Sequence, residues 1–410
     1  MRARLFGLLF FGTVAAFSLS PAVPFISSPA AAAEVRSDIG DPINKARKLA
    51  ADGRFSEALS VLRKADAVGD KTDYETYALE LTRGSIAQSA GDNGVAIHSF
   101  EAVLGTSSCS DAMRPKLTEV IAELYYGQQD YANFIPWAER FFKAGGDNPS
   151  MKTALVDAYY LSNNFSEAES RAEKMVTAAT DAGNTPDQHL LQVWESSAHN
   201  LNDDDGFRRS LELVVTYYPA AADWRNLFIL VQHNLSDRLS LDGERFEHAV
   251  GILTDPDDIV TAVQDAIQLG YPGEAQGFID YGYQTGVLGT GNNAPRHARL
   301  RALVEKDVAA DQKALPQAAA EAERSDSGDG LLHVGYSYVT YGDTDKGLSL
   351  MEEGMAKGNL KHQGESQLHL GIAYLKAGQK DKAIDALKAV DDSDGSTDLA
   401  KLWIIQAGHS

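Results

Sequence analysis

Residues 370–387, LGIAYLKAGQKDKAIDAL, decide the fold. Thirty-six residues upstream, residues 334–351 read VGYSYVTYGDTDKGLSLM and keep the same spacing of a glycine, a tyrosine, a small residue and a bulky apolar residue. In the downstream copy these positions are Gly371, Tyr374, Ala383 and Leu387. Small residues let two antiparallel helices approach closely, while large apolar residues fill the groove between them. The pattern predicts a helical hairpin that must stack on neighbours to bury its apolar face.

The N-terminal part repeats the second half of this pattern, a short turn followed by an alanine-centred apolar stripe. The small residue falls at Ala58, Ala96 and Ala168, with Phe134 at this position in a weaker copy. Successive spacings of 38, 38 and 34 residues are typical of a helix-turn-helix repeat. Following the period, we expect helix pairs to begin near residues 42, 77, 115, 149, 188, 221, 256, 292, 328 and 364.

These residues resemble the tetratricopeptide repeat (TPR), in which a Leu-Gly pair and a Tyr on one helix meet an Ala on the next. The resemblance implies an all-α fold, a right-handed superhelical solenoid of about ten antiparallel helix pairs. Residues 269–275 (LGYPGEA) and 368–403 also look like exported bacterial repeat proteins of unestablished function. The repeat marks an architecture used for interaction and does not by itself indicate one activity.

Two regions match the repeat poorly. Residues 233–255 hold apolar residues at helical spacing without the full motif, and residues 283–330 place Pro316 where a second helix could start. We expect both to form degenerate helix pairs within one continuous superhelix. The expected organisation is a TPR-like array over 34–232, degenerate helical repeats over 233–327, and a C-terminal pair with a capping helix over 328–410.

The capping helix is expected to contain Leu402, Trp403, Ile404 and Ile405. It would cover the apolar end of the last helix pair. Because a terminal repeat has only one neighbour to stack on, we expect the C-terminal pair to unfold first.

The first 33 residues are typical of a secretory signal peptide. Arg2 and Arg4 precede an apolar run from Leu5 to Phe17, and three alanines end at Ala33, after which we expect cleavage. The apolar run is too short for a membrane span, so we predict a periplasmic protein without stable membrane insertion. Cleavage removes two arginines and no acid, so the net charge of −21 becomes −23. Such an acidic surface repels phosphate backbones, which argues against nucleic acid as a partner.

Catalytic and metal motifs are missing from the sequence: it has no HExxH, Walker-type loop, paired CxxC or Gly-x-Ser-x-Gly elbow. We predict no catalytic residue, no metal and no cofactor. The closest histidine pairs, His189 with His199 and His362 with His369, lack ligand spacing.

Three acidic clusters, at residues 202–206, 255–258 and 391–395, are candidate calcium sites by composition. Neither glycine-containing cluster gives a complete EF-hand register, so the three are interpreted as helix-capping segments. The single cysteine, Cys109, lies in a polar stretch and is interpreted as structural, with an intermolecular disulfide left open.

In a stacked repeat the first helix of each pair lines the concave face. Counting from the motif places a mixed polar and aromatic set on that face, which would suit an extended peptide or a sugar chain. The candidate ligand-binding residues are Lys116, Glu119, Glu123, Tyr126, Thr153, Asp157, Tyr160, Gln192, Ser196, His199, Arg225 and Gln232.

Three functions follow from these observations. The first is a non-enzymatic periplasmic scaffold or adaptor that binds proteins or peptides on its concave face. The second is an accessory protein that binds or handles envelope polysaccharide or peptidoglycan. This alternative is based on four aromatic residues near the expected groove: Tyr126, Tyr160, Trp194 and Trp224. The third is an unrecognised enzyme, which would show one concave cluster of titratable side chains with shifted pKa values.

Overall fold

The computed structural model describes residues 35–392 and 394–409, which form twenty α-helices and two short 3₁₀ helices. The expected signal peptide lies outside the described residues. The chain divides into two compact units, unit 1 ending at Asp203 and unit 2 beginning at Asp204. The helices of unit 1 are α1 (Ser37–Ala51), α2 (Phe55–Asp66), α3 (Asp73–Ala90), α4 (Asn93–Gly105), α5 (Arg114–Gly127), α6 (Tyr131–Lys143), α7 (Pro149–Leu161), α8 (Phe165–Asp181) and α9 (Gln188–Leu201).

Unit 2 holds the remaining helices. They are α10 (Asp204–Tyr217), α11 (Ala221–Gln232), α12 (Ser240–Ala249), α13 (Pro256–Gln268), α14 (Pro272–Gln284), α15 (Ala294–Arg324), α16 (Asp329–Thr340), α17 (Thr344–Lys357), α18 (Gln363–Lys376), α19 (Lys380–Lys388) and α20 (Ser396–Ala407). The 3₁₀ helices are Asp237–Leu239, before α12, and Gly291–Asn293, before α15. None of the described helices is both long enough and apolar enough to cross a membrane.

The close approach that the repeat motif predicts is present in the helix pairs. Between α18 and α19, a Cβ added to Gly371 would lie 2.6 Å from Cγ of Leu387, and Ala383 is fully buried. Between α16 and α17 the fit is tighter, since a Cβ on Gly347 would lie 2.5 Å from the carbonyl oxygen of Gly335. Small residues therefore set the interhelical distance, and the all-α, TPR-like fold of antiparallel helix pairs is confirmed.

Helix boundaries follow the predicted period. The expected first helices begin within five residues of the observed α1, α3, α5, α7, α9, α11, α13, α15, α16 and α18. Side chains of Asp92, Asp130 and Asn164 cap the second helices by accepting a bond from a backbone N–H of the first turn. The acidic clusters lie at helix boundaries as expected: Asn202 is in a left-handed conformation after α9, and Asp255 caps α13.

The region 283–330 departs from the expectation of a helix pair. It contains one 31-residue helix, α15, and Pro316 lies inside it rather than at the start of a second helix. Proline removes the bond to the carbonyl of Gln312, but both residues are exposed, so water reaches that carbonyl. Buried Val304, Leu315 and other apolar residues along α15 hold the helix on α14 and α16. Packing on two neighbours thus overrides the helix-breaking residue.

Unit 1 is a stack in which each helix pair contacts the next. Neighbouring pairs pack through α2 on α3, α4 on α5, α6 on α7 and α8 on α9. The apolar interior consists of successive local clusters, one around Ile39 and Leu62 and another around Phe100 and Ile121. Cys109 belongs to the second cluster and is 3% exposed. Its burial makes the structural interpretation of this thiol the better one.

Unit 2 is closed by contacts between its two chain ends. The last helix, α20, packs on α10 and α11 as well as on α18 and α19. Nη2 of Arg208 in α10 donates to Oδ1 of Asp398 at 2.7 Å, and His409 bonds the carbonyl oxygen of Val215 through Nε2 at 2.8 Å. One continuous apolar core runs through this unit, from α10 to Trp403.

This closure changes the expected role of the C-terminus. Leu402, Trp403, Ile404 and Ile405 do belong to a final helix, and that helix covers α18 and α19 as predicted. However, α20 also packs on α10 and α11, so this helix ties the last pair to the start of the unit. The C-terminal end of the stack is therefore not free, so the premise behind early unfolding of this pair does not hold, and its order of unfolding stays a prediction.

Candidate functional site

The predicted concave residues of unit 1 form polar pairs between successive first helices. Oε1 of Glu119 on α5 accepts a bond of 2.8 Å from Nδ2 of Asn148, the N-cap of α7. On α7, Tyr160 pairs through its hydroxyl with Oγ of Ser196 on α9 at 2.7 Å. Asp157 Oδ1 lies 2.6 Å from Nε2 of His189, a histidine that the sequence analysis left without a role. Hydrogen bonding to Asp157 raises the pKa of His189.

Solvent exposure divides the same set. Lys116, Gln192 and His199 are exposed, Thr153 is half-buried, and Glu123, Tyr126 and Asp157 are buried. Tyr126 is 5% exposed and packs edge-on against Tyr131 and Phe134 in the interior of its helix pair. Its ring therefore presents almost no surface to a ligand.

The aromatic residues behind the glycan alternative are mostly core residues. Trp194 is 2% exposed and Trp224 is 5% exposed, so neither ring can stack on a sugar. Tyr160 remains half-buried, with its ring edge-on to Phe165 and its hydroxyl bonded to Ser196. The flat aromatic platform that motivated a polysaccharide ligand is not formed by these four residues.

Arg225 and Gln232, the predicted site residues of unit 2, lie together in a pocket between α11, α12 and α13. The pocket has a volume of about 560 Å³ and an apolar floor that includes Phe228, Leu235 and Ile252. Nη2 of Arg225 donates to the carbonyl oxygen of Ile252 at 3.2 Å, at the edge of the pocket. We call this the acidic pocket, because its remaining charged lining residues are Asp237, Glu244, Glu247, Asp255 and Asp258.

Burial, together with neighbouring carboxylates, changes the protonation of two of these residues, Glu244 and Glu247. Burial, reinforced by the charges of Asp265 and Glu247, raises the pKa of Glu244 to about 8. Burial and Asp258 raise the pKa of Glu247 to about 7. Oε2 of Glu244 is shielded from solvent and has no hydrogen-bond partner within the described part of the chain. A cation in the pocket would stabilise the ionised carboxylates, so the site favours positively charged ligand groups.

A second polar cluster lies in the core of unit 2. Buried Arg245 on α12 donates to Oδ1 of Asp242 at 2.7 Å and to Oε2 of Glu274 at 2.7 Å, and Tyr336 donates to the other oxygen of Glu274 at 3.0 Å. His369 Nε2 lies 2.8 Å from Asp242 Oδ1. The charges of Arg245 and His369 keep the pKa of Asp242 low against its burial, at about 2.

The enzyme alternative predicted one concave cluster of titratable groups with shifted pKa values, and the acidic pocket, with Glu244 and Glu247, is such a cluster. The buried network is a second cluster, and it lies in the core. Its members, however, are bonded to one another: Arg245 is shared by two carboxylates, and Glu274 also accepts the phenol of Tyr336. Such mutual pairing is typical of a structural ion network. The absence of catalysis remains a prediction.

Three ligand atoms of the network lie close enough together for a metal ion. Asp242, Glu365 and His369 present atoms that are all within 4.8 Å of one another. Nη1 of Arg245 already lies 2.7 Å from Asp242 and 3.0 Å from His369, and Nη1 of Arg238 lies 2.6 Å from Glu365. Guanidinium groups thus supply the positive charge that a metal ion would bring to these atoms.

Comparisons with known proteins add no family. No protein-family model and no curated protein matches the sequence. Among solved structures, the chain is similar to one described as Naa15/Naa10 bound to HypK-THB, with 13% identity and a TM-score of 0.28, covering 84% of this chain and 62% of that one. It is also similar to the P58(IPK) TPR domain, with 14% identity and a TM-score of 0.22, covering 89% of this chain and 98% of that one. It is similar as well to yeast Tom70, with 11% identity and a TM-score of 0.26, covering 91% of this chain and 95% of that one.

Proposed function

We propose that this protein is a non-enzymatic scaffold of the periplasm that binds a protein or peptide partner, and that the acidic pocket receives a basic side chain of that partner. The observation that carries the proposal is the lining of the pocket, in which five carboxylates face one guanidinium above an apolar floor. The periplasmic location rests on the signal-peptide pattern of residues 1–33.

Lysine and arginine side chains fit both the apolar surface and the carboxylates of the pocket. Their alkyl stems can pack on Phe228 and Ile252 while the charged end reaches Glu244 and Glu247. A charge-assisted bond would satisfy Oε2 of Glu244, which has no partner among the described residues.

The test begins with capture of partners from a periplasmic extract by the mature protein. Recovery of no protein above background would overturn the scaffold function. Peptides derived from captured partners are then compared with versions in which lysine is replaced by norleucine, which keeps most of the stem and removes the charge. We expect about tenfold weaker binding of the norleucine peptide.

Two double variants locate the binding site. Glu244→Gln with Glu247→Gln removes two of the five carboxylates of the pocket, and Asp381→Asn with Asp385→Asn removes two exposed charges from α19 in the same unit. Only the pocket variant should lose the preference for lysine over norleucine. Equal effects of the two variants would mean that partners are attracted by overall charge and that the pocket is not the site.

The pH dependence gives a further check. Glu244, with its pKa raised to about 8, gains its charge as the pH rises from 6 to 9. Affinity for the lysine peptide should therefore increase over this range, in which the lysine stays protonated. Glu247, with its pKa raised to about 7, gains its charge in the same range, so the increase should be smaller in Glu244→Gln and absent in the double variant Glu244→Gln with Glu247→Gln.

A further inference from the structure

A second cavity of unit 2, which we call the Trp403 pocket, lies on the side of α12 that faces α14 and α18. It has a volume of about 290 Å³, near the lower end of the range for small-molecule sites. Phe278, Ile372 and Trp403 supply apolar walls, and the ion pair of Arg245 with Glu274 forms part of the lining. The cavity is smaller and less acidic than the acidic pocket, so it suits a different ligand.

Trp403, one of the residues that line this pocket, has a buried donor without an acceptor. Trp403 is 5% exposed, and its Nε1 is shielded from solvent and lacks a hydrogen-bond partner in the described residues. An indole N–H can only donate. Buried donors are normally satisfied, so an unsatisfied one in the wall of a cavity points to a ligand that brings an acceptor.

Positive charge at the pocket comes from Lys376, at the C-terminal end of α18. Its side chain is exposed, and no ion pair joins it within the described chain. The other charges of the lining balance each other, since Arg245 Nη2 lies 2.7 Å from Glu274 Oε2. Burial, together with the nearby charge of Lys376, lowers the pKa of His248, so this histidine adds no charge at neutral pH.

The one carboxylate among the described lining residues is already paired. Both oxygens of Glu274 are used, one by Arg245 and the other by Tyr336. The hydroxyl of Thr340 donates to the carbonyl of Ser337 at 2.8 Å and so is already engaged as a donor. The pocket therefore offers an ammonium group and an indole N–H beside apolar walls, which together favour an anionic, acceptor-rich group attached to an apolar body.

We propose that the Trp403 pocket binds a small carboxylate that carries an apolar group. The carboxylate pairs with Lys376, the apolar group packs against Phe278 and Ile372, and a ligand oxygen accepts the N–H of Trp403. A small cation is repelled by Lys376, and a purely apolar ligand leaves the indole donor unsatisfied. This site is separate from the acidic pocket and does not depend on the proposed partner.

The test compares carboxylates with their neutral amides. Phenylacetate and hexanoate, with phenylacetamide and hexanamide as matched controls, are titrated into the mature protein by calorimetry up to about 10 mM, a range that detects weak binding. We expect at least one carboxylate to saturate and its amide to bind about tenfold more weakly. Failure of both carboxylates to saturate, or equal binding of acid and amide, would overturn the proposal.

Variants assign the two polar contacts. Lys376→Met keeps the length of the side chain and removes its charge, and should weaken the carboxylate about tenfold. Lys388→Met removes a similarly exposed charge from α19 and should leave binding unchanged. Trp403→Phe removes the indole N–H, with circular dichroism to confirm folding. Unchanged affinity in Lys376→Met would refute the site even if the Trp403 variant does not fold.

Discussion

The two units use the same helix pair in different ways. In unit 1, side-chain hydrogen bonds between pairs join residues that are close in sequence, such as Tyr160 with Ser196, 36 residues apart. In unit 2, Arg208 and Asp398 are 190 residues apart, and Arg245 and His369 are 124 apart. The first unit is held by contacts with the next repeat, whereas the second is held by contacts between its ends. A repeat motif specifies the pair, and other residues decide whether the stack closes.

Removal of α20 should have the largest effect on stability, and it should destabilise unit 2 without affecting unit 1. Deleting residues 398–410 takes Leu399, Leu402 and Trp403 out of the core of unit 2, and each large buried side chain contributes about 1.5–3 kcal/mol. The loss is comparable with the whole stability of a typical domain, about 5–15 kcal/mol. Hydrogen exchange followed by mass spectrometry should show that residues 204–397 lose protection. Residues 35–203 should keep theirs and serve as the internal control; retained protection in both units would mean that closure does not stabilise unit 2.

Breaking the buried network should have the next largest effect. Arg245→Met leaves Asp242 and Glu274 buried without their guanidinium partner, which typically costs about 3–5 kcal/mol. Arg171→Met in unit 1 removes a partly exposed arginine that bonds Glu139 at 2.7 Å, and should cost about 1 kcal/mol or less. Urea unfolding monitored separately in each unit by hydrogen exchange measures both changes.

A rescue variant tests the reason for that loss. Adding Asp242→Asn and Glu274→Gln to Arg245→Met removes the two uncompensated charges, and should recover part of the stability of unit 2. If the triple variant is less stable than Arg245→Met alone, packing of the arginine stem rather than charge pairing accounts for the effect.

Overpacking of a helix pair should have a moderate effect. Ala383 is fully buried where α18 and α19 meet, so Ala383→Leu must displace neighbouring groups, at a cost of about 1–3 kcal/mol. Asp391→Asn changes an exposed residue after α19 and should stay within about 0.5 kcal/mol. Thermal unfolding of the two variants under the same conditions gives the comparison. Similar melting temperatures would show that the small residue does not set the distance between these helices.

Local features of the fold could be predicted because the repeat is a local signal. The spacing from Gly371 to Ala383 reports a contact between adjacent helices, and the same spacing along the chain located the helix starts. Closure of unit 2 left no such signal, since Arg208 and Asp398 are joined only by the folded chain. The single helix across Pro316 was missed because neighbours on two sides compensate a bond that sequence rules count as lost.

The site was predictable only where the motif reaches. Counting from the repeat gave Arg225 and Gln232, which do line a pocket. Glu244 and Glu247 lie on α12, in a region without the motif, so counting could not place them. Their spacing of three residues on one helix was the available signal, because residues three apart share a face. The repeat period predicts Tyr126 and Trp194 near the groove, but both are buried in the interiors of helix pairs.

The last prediction concerns one raised pKa in each unit. Burial, with Asp203, raises the pKa of Glu169 in unit 1 to about 7, and that of Glu244 in unit 2 rises to about 8. The folded protein keeps a proton that the unfolded chain releases above about pH 4.5, so the free energy of unfolding falls as the pH rises to the raised pKa and is level beyond it.

Glu169→Gln and Glu244→Gln remove this loss of stability, so neither should change the melting temperature at pH 4. At pH 9 each should raise it, by about 2–4 °C for each kcal/mol relieved. Between pH 7 and 8 the gain of the Glu244 variant should grow more than that of the Glu169 variant, and hydrogen exchange should assign it to unit 2. A gain of the same size at pH 4 and pH 9 would mean that the glutamine acts through packing rather than through the buried charge.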